Sequence, residues 1–262
     1  MRRVAVLAAS ARELAPVRAG LKAIRSGRLG SFPHEVGRSD AVEMHLLNTG
    51  IGFQAALVGA EAVLSAFTVD AVVSTGFVGA LGSAGLGDVI VGTDVLDWTT
   101  EGTRTSVPCD SALLALARET AARARVGWSE GPVVTVANVV CKADEKQELA
   151  RASGAVAVDL ESAAIARAAH VVGVPFLLVR AVSDCADEDL PMDFNLWLSP
   201  WGRVQGVAHL LRRPSIIRSL LRMRRHVEYG SQNLARFFAA LVATLDRTWA
   251  PSCPSPVAMG AR

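Results

Sequence analysis

The feature that most constrains this chain is an unbroken apolar run at residues 4–9, which follows Met1-Arg2-Arg3 and gives way to Ser10, Arg12 and Glu13. It is too short for a secretion signal or a membrane span. It is also too continuous for a strand with one wet face, so it predicts a strand buried on both sides. Similar runs recur at 42–47, 71–74, 88–91, 133–137, 155–158 and 176–179. Between them lie longer Ala-, Leu- and Arg-rich segments at 13–24, 54–67, 111–125, 161–172 and 216–243, which predict helices, with Asp110 and Asp159 at N-cap positions. Buried strands alternating with helices predict an α/β fold of three layers, αβα, around a central, mostly parallel mixed sheet.

Of the 262 residues 51% are hydrophobic and 20% charged, enough to build one large core. We expect a single domain over 1–247, with a basic amphipathic stretch at about 203–226, and a disordered tail at 248–262 carrying Pro251, Pro254 and Pro256. Lys and Arg number 27 against 25 Asp and Glu, a net charge of +2, so no nucleic-acid partner is expected. The cysteines, Cys109, Cys141, Cys185 and Cys253, are widely separated, which excludes a disulfide framework and a zinc motif and points to a reducing cytoplasm. The histidines lack metal-ligand spacing, and no nucleophile elbow or Walker A motif is present.

Ligands of open α/β sheets collect at the carboxyl ends of strands. Four places there carry polar residues or glycine: 49–52, 76–81, 138–141 and 180–184. At the last, Ser183-Asp184 follows an apolar strand that ends at Arg180. A carboxyl at that edge is partly desolvated, which raises its pKa toward the range of a general acid, and the neighbouring hydroxyl orients it. A turn in which Ser and Asp serve the backbone explains the pair as well. Glu161 begins a helix after a buried strand; it suits a pair of sugar hydroxyls, and equally the positive end of a helix dipole. Gly50-Ile51-Gly52-Phe53-Gln54-Ala55 matches a dinucleotide fingerprint, but Asp70 precedes the next strand where the fingerprint wants its acid after it. A tight turn presenting backbone amides to a ligand is the better reading.

Arg203, Arg212, Arg213, Arg218, Arg222, Arg224 and Arg225 stand in a stretch with no acidic residue, interleaved with Ile216, Ile217, Leu220, Leu221 and Met223. The pattern suits an anionic membrane surface, or a helix packed on the core with a solvated arginine face.

Taken together, Thr49-Gly50-Ile51-Gly52, the 76–81 segment, the run from Val158-Asp159-Leu160-Glu161-Ser162 to Ala166, and Val179-Arg180-Ala181-Val182-Ser183-Asp184 resemble the nucleoside phosphorylase and nucleosidase superfamily. The resemblance covers about residues 4–190. It implies cleavage of the N-glycosidic bond of a purine nucleoside. Asp184, oriented by Ser183, would protonate purine N7, Glu161 would hold the ribose hydroxyls and Glu13 would activate water. It places further substrate contacts at Leu160, Val139, Val140, Gly76, Phe77, Gly79 and Arg180. No metal or organic cofactor is implied, and a homo-oligomer, first of all a dimer, is expected. Relatives stack an aromatic ring on the base near position 138, where this chain has Asn138. Phosphorylases of the superfamily bind phosphate through an Arg and a Ser around the glycine segment, where Ser74 and Phe77 stand here. Hydrolysis is therefore favoured over phosphorolysis, with Arg12 and Arg18 on the other side of the balance.

Beyond Asp184, Leu190-Pro191-Met192-Asp193-Phe194-Asn195, Trp201-Gly202-Arg203 and Leu211-Arg212-Arg213-Pro214 are similar to the branch called hopanoid-associated phosphorylase. That resemblance implies a lipid-linked nucleoside, adenosylhopane, and a cytoplasmic enzyme peripheral at the inner membrane face through the 203–225 stretch.

Overall fold

The computed structural model describes residues 2–40, 42–99, 104–195 and 215–248, with the backbone alone at 215–217 and 246–248. Ten strands, β1 (Arg2–Ala8), β2 (Lys22–Leu29), β3 (Phe32–Arg38), β4 (Val42–Asn48), β5 (Ala71–Ala80), β6 (Val89–Trp98), β7 (Thr105–Pro108), β8 (Trp128–Val136), β9 (Ala157–Asp159) and β10 (Phe176–Asp184), form one sheet. The helices of the described residues are α1 (Ala11–Arg18), α2 (Phe53–Ala66), α3 (Ser111–Ala124), α4 (Ala143–Ser153), α5 (Ser162–Val171) and α6 (Ser215–Thr248).

The long inner pairings are parallel: β1 lies between β4 and β5, β10 runs beside β5, and β6 beside β8. Antiparallel pairing joins the hairpins and also β10 to β6 and β5 to β9. Because β10 pairs with both β5 and β6, the strands β5, β10, β6, β8 and β9 close on themselves, and β1, β4, β3 and β2 extend from that ring. The apolar residues of β1, β4, β5 and β10 are buried together with the inner faces of the helices, including Phe237 and Phe238 of α6. β1, β4, β5 and β10 all run the same way, so their carboxyl ends gather at one edge.

Several expectations need correction. The helix expected over 13–24 stops at Arg18, and the chain turns into the β2–β3 hairpin, whose outer strand β2 is exposed. Lys22, Arg25 and Arg28 keep β2 a wet edge strand, which is why no apolar alternation announces it. The glycine segment 76–81 belongs to β5 as far as Ala80, and β10 continues to Asp184, so Arg180 lies in mid-strand. Asp159 caps α5 through its carboxylate, which accepts from Ser162 N at 3.2 Å, while Glu161 holds the N-cap backbone position. Asp110 caps α3 as expected, accepting from Leu113 N. The 203–214 part of the basic stretch and the tail beyond Thr248 lie outside the described residues, and Thr248 itself ends α6.

Candidate active site

The gathered strand ends line a cavity of about 410 Å³ whose walls include Ser10, Arg12, Glu13, Phe77, Gly79, Val139, Val140, Leu160, Glu161, Ser183 and Asp184.

Glu13 arrives from the first turn of α1. Ser10 caps that helix, accepting from Glu13 N at 3.4 Å, and its hydroxyl donates to Glu13 Oε2 at 2.8 Å. The other carboxylate oxygen accepts from Phe77 N at 3.2 Å, so both oxygens are oriented before a ligand enters. Gly76 makes this approach possible. Its φ is +138°, and a Cβ there would lie 2.4 Å from Glu13 Oε1 and 2.8 Å from Arg180 Nη1. Gly76 thus acts behind the wall.

Glu161 is buried and accepts from Gly52 N at 2.8 Å, so the glycine turn after β4 spends that amide on Glu161 and not on a nucleotide phosphate. Burial pushes the Glu161 carboxyl up to about 7, aided by Asp159 and Glu13 and opposed by Arg180 and the Gly52 amide.

Arg180, expected as a substrate contact, is 1% exposed and stands apart from the cavity lining. Its guanidinium meets Asp159 at 2.9 Å, Ser74 at 3.1 Å, Ser162 at 3.0 Å and the Phe77 carbonyl at 3.3 Å. Glu161 is farther, at 3.9 Å. Arg180 is therefore the buried counter-ion that holds Asp159 and backs Glu161.

Asp184 ends β10 just after a bulge. Val182 pairs with Val78 and Asp184 with Gly79, leaving Ser183 as the extra residue, so both Ser183 and Asp184 face the cavity. Ser183 Oγ lies 2.6 Å from Asp184 Oδ1 and 3.1 Å from the Val78 carbonyl. Gly79 leaves room, since a Cβ there would sit 3.0 Å from Asp184 Oδ2. Sequence reasoning missed the partner of Oδ2, the fully buried Lys146 of α4, at 2.6 Å. One signal was available: only Lys22, Lys142 and Lys146 are lysine among 27 basic residues.

The 138–141 segment splits. Val139 and Val140 line the cavity, whereas Asn138 opens on a neighbouring depression. Asn195, also missed, clamps Val139, accepting from its N–H at 2.7 Å and donating to its carbonyl at 3.0 Å. Among the described residues the aromatic rings on the cavity wall are Phe77 and Phe194. Of the basic residues weighed for phosphate, Arg12 stands on the rim, while Arg18 is held by Glu35 at 2.7 Å. No cluster among the described residues is arranged to hold a metal ion.

The model of the phosphorylase superfamily matches residues 3–203. A 5'-methylthioadenosine/S-adenosylhomocysteine nucleosidase of Maridesulfovibrio salexigens is 28% identical over 202 residues, covering 71% of this chain and 87% of that protein. Among solved structures, the nucleosidase of the same name from Neisseria meningitidis, in complex with methylthio-immucillin-A, superposes with a TM-score of 0.73 at 23% identity, covering 92% of this chain and 99% of that one. A futalosine hydrolase of Helicobacter pylori gives a TM-score of 0.73 at 20% identity, covering 93% and 99%. These structures share the mixed α/β fold described above, and with three-quarters of its length matched the chain belongs to the phosphorylase superfamily, the nucleoside phosphorylase and nucleosidase enzymes that its motifs resemble.

Proposed function

We propose that the chain hydrolyses the N-glycosidic bond of an adenine nucleoside, with Asp184 as the acid on purine N7, Glu161 as acceptor of the ribose hydroxyls and Glu13 as the base that takes a proton from water. The observation that carries this reading is the convergence of these three carboxyls, from three distant parts of the chain, on one cavity. As the C1′–N9 bond breaks, its electron pair passes to the base, which takes a proton from Asp184 at N7. The sugar becomes oxocarbenium-like, and a carboxylate beside it stabilises that charge. Water adds at C1′ and gives its proton to Glu13. Val139, Val140 and Phe194 flank the place of the base, Phe194 supplying the ring that Asn138 does not.

The same reading extends to a lipid-linked nucleoside such as adenosylhopane, handled in the cytoplasm at the inner face of a membrane. It is supported by the apolar lining, with Ile51, Leu190, Met223 and Val227 added to the valines, and by its reach to α6. There Arg218, Arg222, Arg224 and Arg225 are exposed beside the exposed Leu221. No helix of the described residues is long and apolar enough to cross a membrane, so contact would be peripheral. A homodimer is supported by the exposed apolar residues Val58 on α2 and Val171 and Val172 at the end of α5. Arg12 at the rim favours a second reading, phosphorolysis of a soluble nucleoside. Chromatography for free adenine after incubation with adenosine, methylthioadenosine and adenosylhopane, with and without phosphate, tests both. Adenine release that requires phosphate would overturn hydrolysis, and release from none of the three would overturn the reading.

A further inference from the structure

Lys146 is 0% exposed, and its ammonium has three acceptors: Asp184 Oδ2 at 2.6 Å, the Cys185 carbonyl at 2.8 Å and the Glu188 carbonyl at 3.1 Å. An ammonium has three N–H donors, so this set uses every one. The helix that carries it has no other buried side chain. Its neighbour Lys142 pairs with Asp189 at 2.8 Å on the surface, where another cation would serve as well. Burying one charged group on a helix whose apolar contacts are the half-buried Leu149 and Ala150 is unfavourable unless its charge is matched, and Asp184 is the match.

The chemistry at Asp184 gives this pairing a role. Ser183 has a single hydroxyl proton and two acceptors within reach, the Val78 carbonyl and Asp184 Oδ1. When Asp184 is ionised, Ser183 donates to Oδ1. When Asp184 carries a proton on Oδ1, Ser183 accepts that proton's hydrogen bond and turns its own hydrogen to Val78. Oδ2 has no such freedom, since an ammonium hydrogen points at it.

We infer that Lys146 is the positioning residue of the general acid: it reserves Oδ2 as the permanently accepting oxygen, confines the transferable proton to Oδ1 beside Ser183, and fixes the turn that follows Asp184. The inference rests on the proposed role of Asp184. Once the proton has passed to the leaving base, the ammonium faces the carboxylate charge that appears, in a site shielded from water. Lys146 itself touches no substrate and exchanges no proton in the reaction.

The test is a double-mutant cycle on adenine release from whichever of adenosine, methylthioadenosine and adenosylhopane the wild type cleaves, with folding checked by circular dichroism. Lys146→Met is expected to lower kcat by roughly 10- to 100-fold, with KM within about threefold, since the lost interaction belongs to the transition state. In an Asp184→Asn background the same substitution is expected to cost less than about threefold, because the group it positions has gone. Lys146→Arg keeps the charge, but its planar fork cannot meet three acceptors at once, and an intermediate kcat is expected. Should Lys146→Met not fold, Lys146→Arg carries the same cycle. An unchanged kcat, a loss confined to KM, or an equal loss with and without the Asp184 carboxyl would overturn the inference while leaving the proposed function in place. A wild type that releases adenine from none of the three would overturn both.

Discussion

Replacing Glu161 by Gln changes one atom and removes a charge that the fold resists. A carboxyl raised from an ordinary 4.5 to about 7 by burial is about 3 kcal/mol harder to ionise in the folded chain than in the unfolded one. Below pH 4.5 the group is neutral in both states and carries no penalty. As the pH rises, the unfolded chain ionises first, so the folded state binds more protons and stability falls. The loss is complete once the pH has passed the folded value of about 7. The Gln variant cannot ionise, and its amide oxygen can still accept from Gly52. Urea unfolding of both proteins between pH 5 and 8 is therefore expected to show the variant gaining on the wild type as pH rises, by about 2–3 kcal/mol over the range. Nucleoside binding should move the other way: wild-type affinity climbs through pH 7 as the ribose acceptor ionises, and that of the variant stays flat. Parallel stability curves for the two proteins would refute the reasoning, because they would mean that Glu161 ionises as freely in the fold as outside it.

Three more substitutions probe the site and its surroundings. Asp184→Asn is expected to fold and to lose about 100- to 10,000-fold in adenine release, as for a lost general acid; activity within about threefold of wild type removes Asp184 from that role. Gly76→Ala sets a Cβ against Glu13 and Arg180 at a positive φ, and should cost about 1–3 kcal/mol of stability together with most activity; a calorimetric Tm equal to that of wild type would show that the wall behind Glu13 is soft. Arg218, Arg222 and Arg225 changed together to Gln should abolish sedimentation with anionic liposomes at low salt, since each Arg near such a surface contributes about 1 kcal/mol. A wild type that does not sediment makes the arginine face of α6 merely solvated.

The sequence disclosed the parts of the fold whose burial is continuous. β1 and β10 read as apolar runs because helices or sheet cover both faces, β4 read as a run broken by Glu43 and His45, and α2, α3 and α5 were legible as helical segments, the last two with capping aspartates. β2 was not, since an exposed edge strand has no core face to pattern it; β3 was not, since the residues it buries are His34 and Gly37 and make no apolar alternation; and α4 was missed because Lys146 is its single buried residue. At the site, Asp184 stood out as an acid at a strand end and Glu161 as one at a helix start, while Glu13 was pointed to by the family resemblance alone. What stayed hidden was pairing over long separations: Lys146 with Asp184, Asn195 with Val139, and Arg180 with Asp159. A guanidinium read at a strand end looks from sequence like a ligand for substrate. Only the fold shows that Asp159, Ser74, Ser162 and a carbonyl already use it.

Those pairings also decide which nucleophile the cavity suits. Arg180 and Lys146, the buried cations at its back, have their donors engaged by protein acceptors, and Ser74 Oγ is 3.1 Å from both Arg180 and Ser162. Of the described lining, Arg12 at the rim is left to meet an anion, whereas the carboxylates of Glu13 and Glu161 face inward, those of Asp159 and Asp184 being matched by Arg180 and Lys146. A phosphate charge about 5 Å from one carboxylate would meet a repulsion of about 3 kcal/mol at an effective dielectric of 20, twice that for a dianion. Water meets none, and the oxocarbenium-like sugar it attacks is favoured by the same acids. Adenine release should accordingly run at the same rate with and without millimolar phosphate and leave free ribose or its 5′-substituted form. A ribosyl 1-phosphate product would show that Arg12 outweighs the carboxylates and that the cavity had been read with the wrong sign.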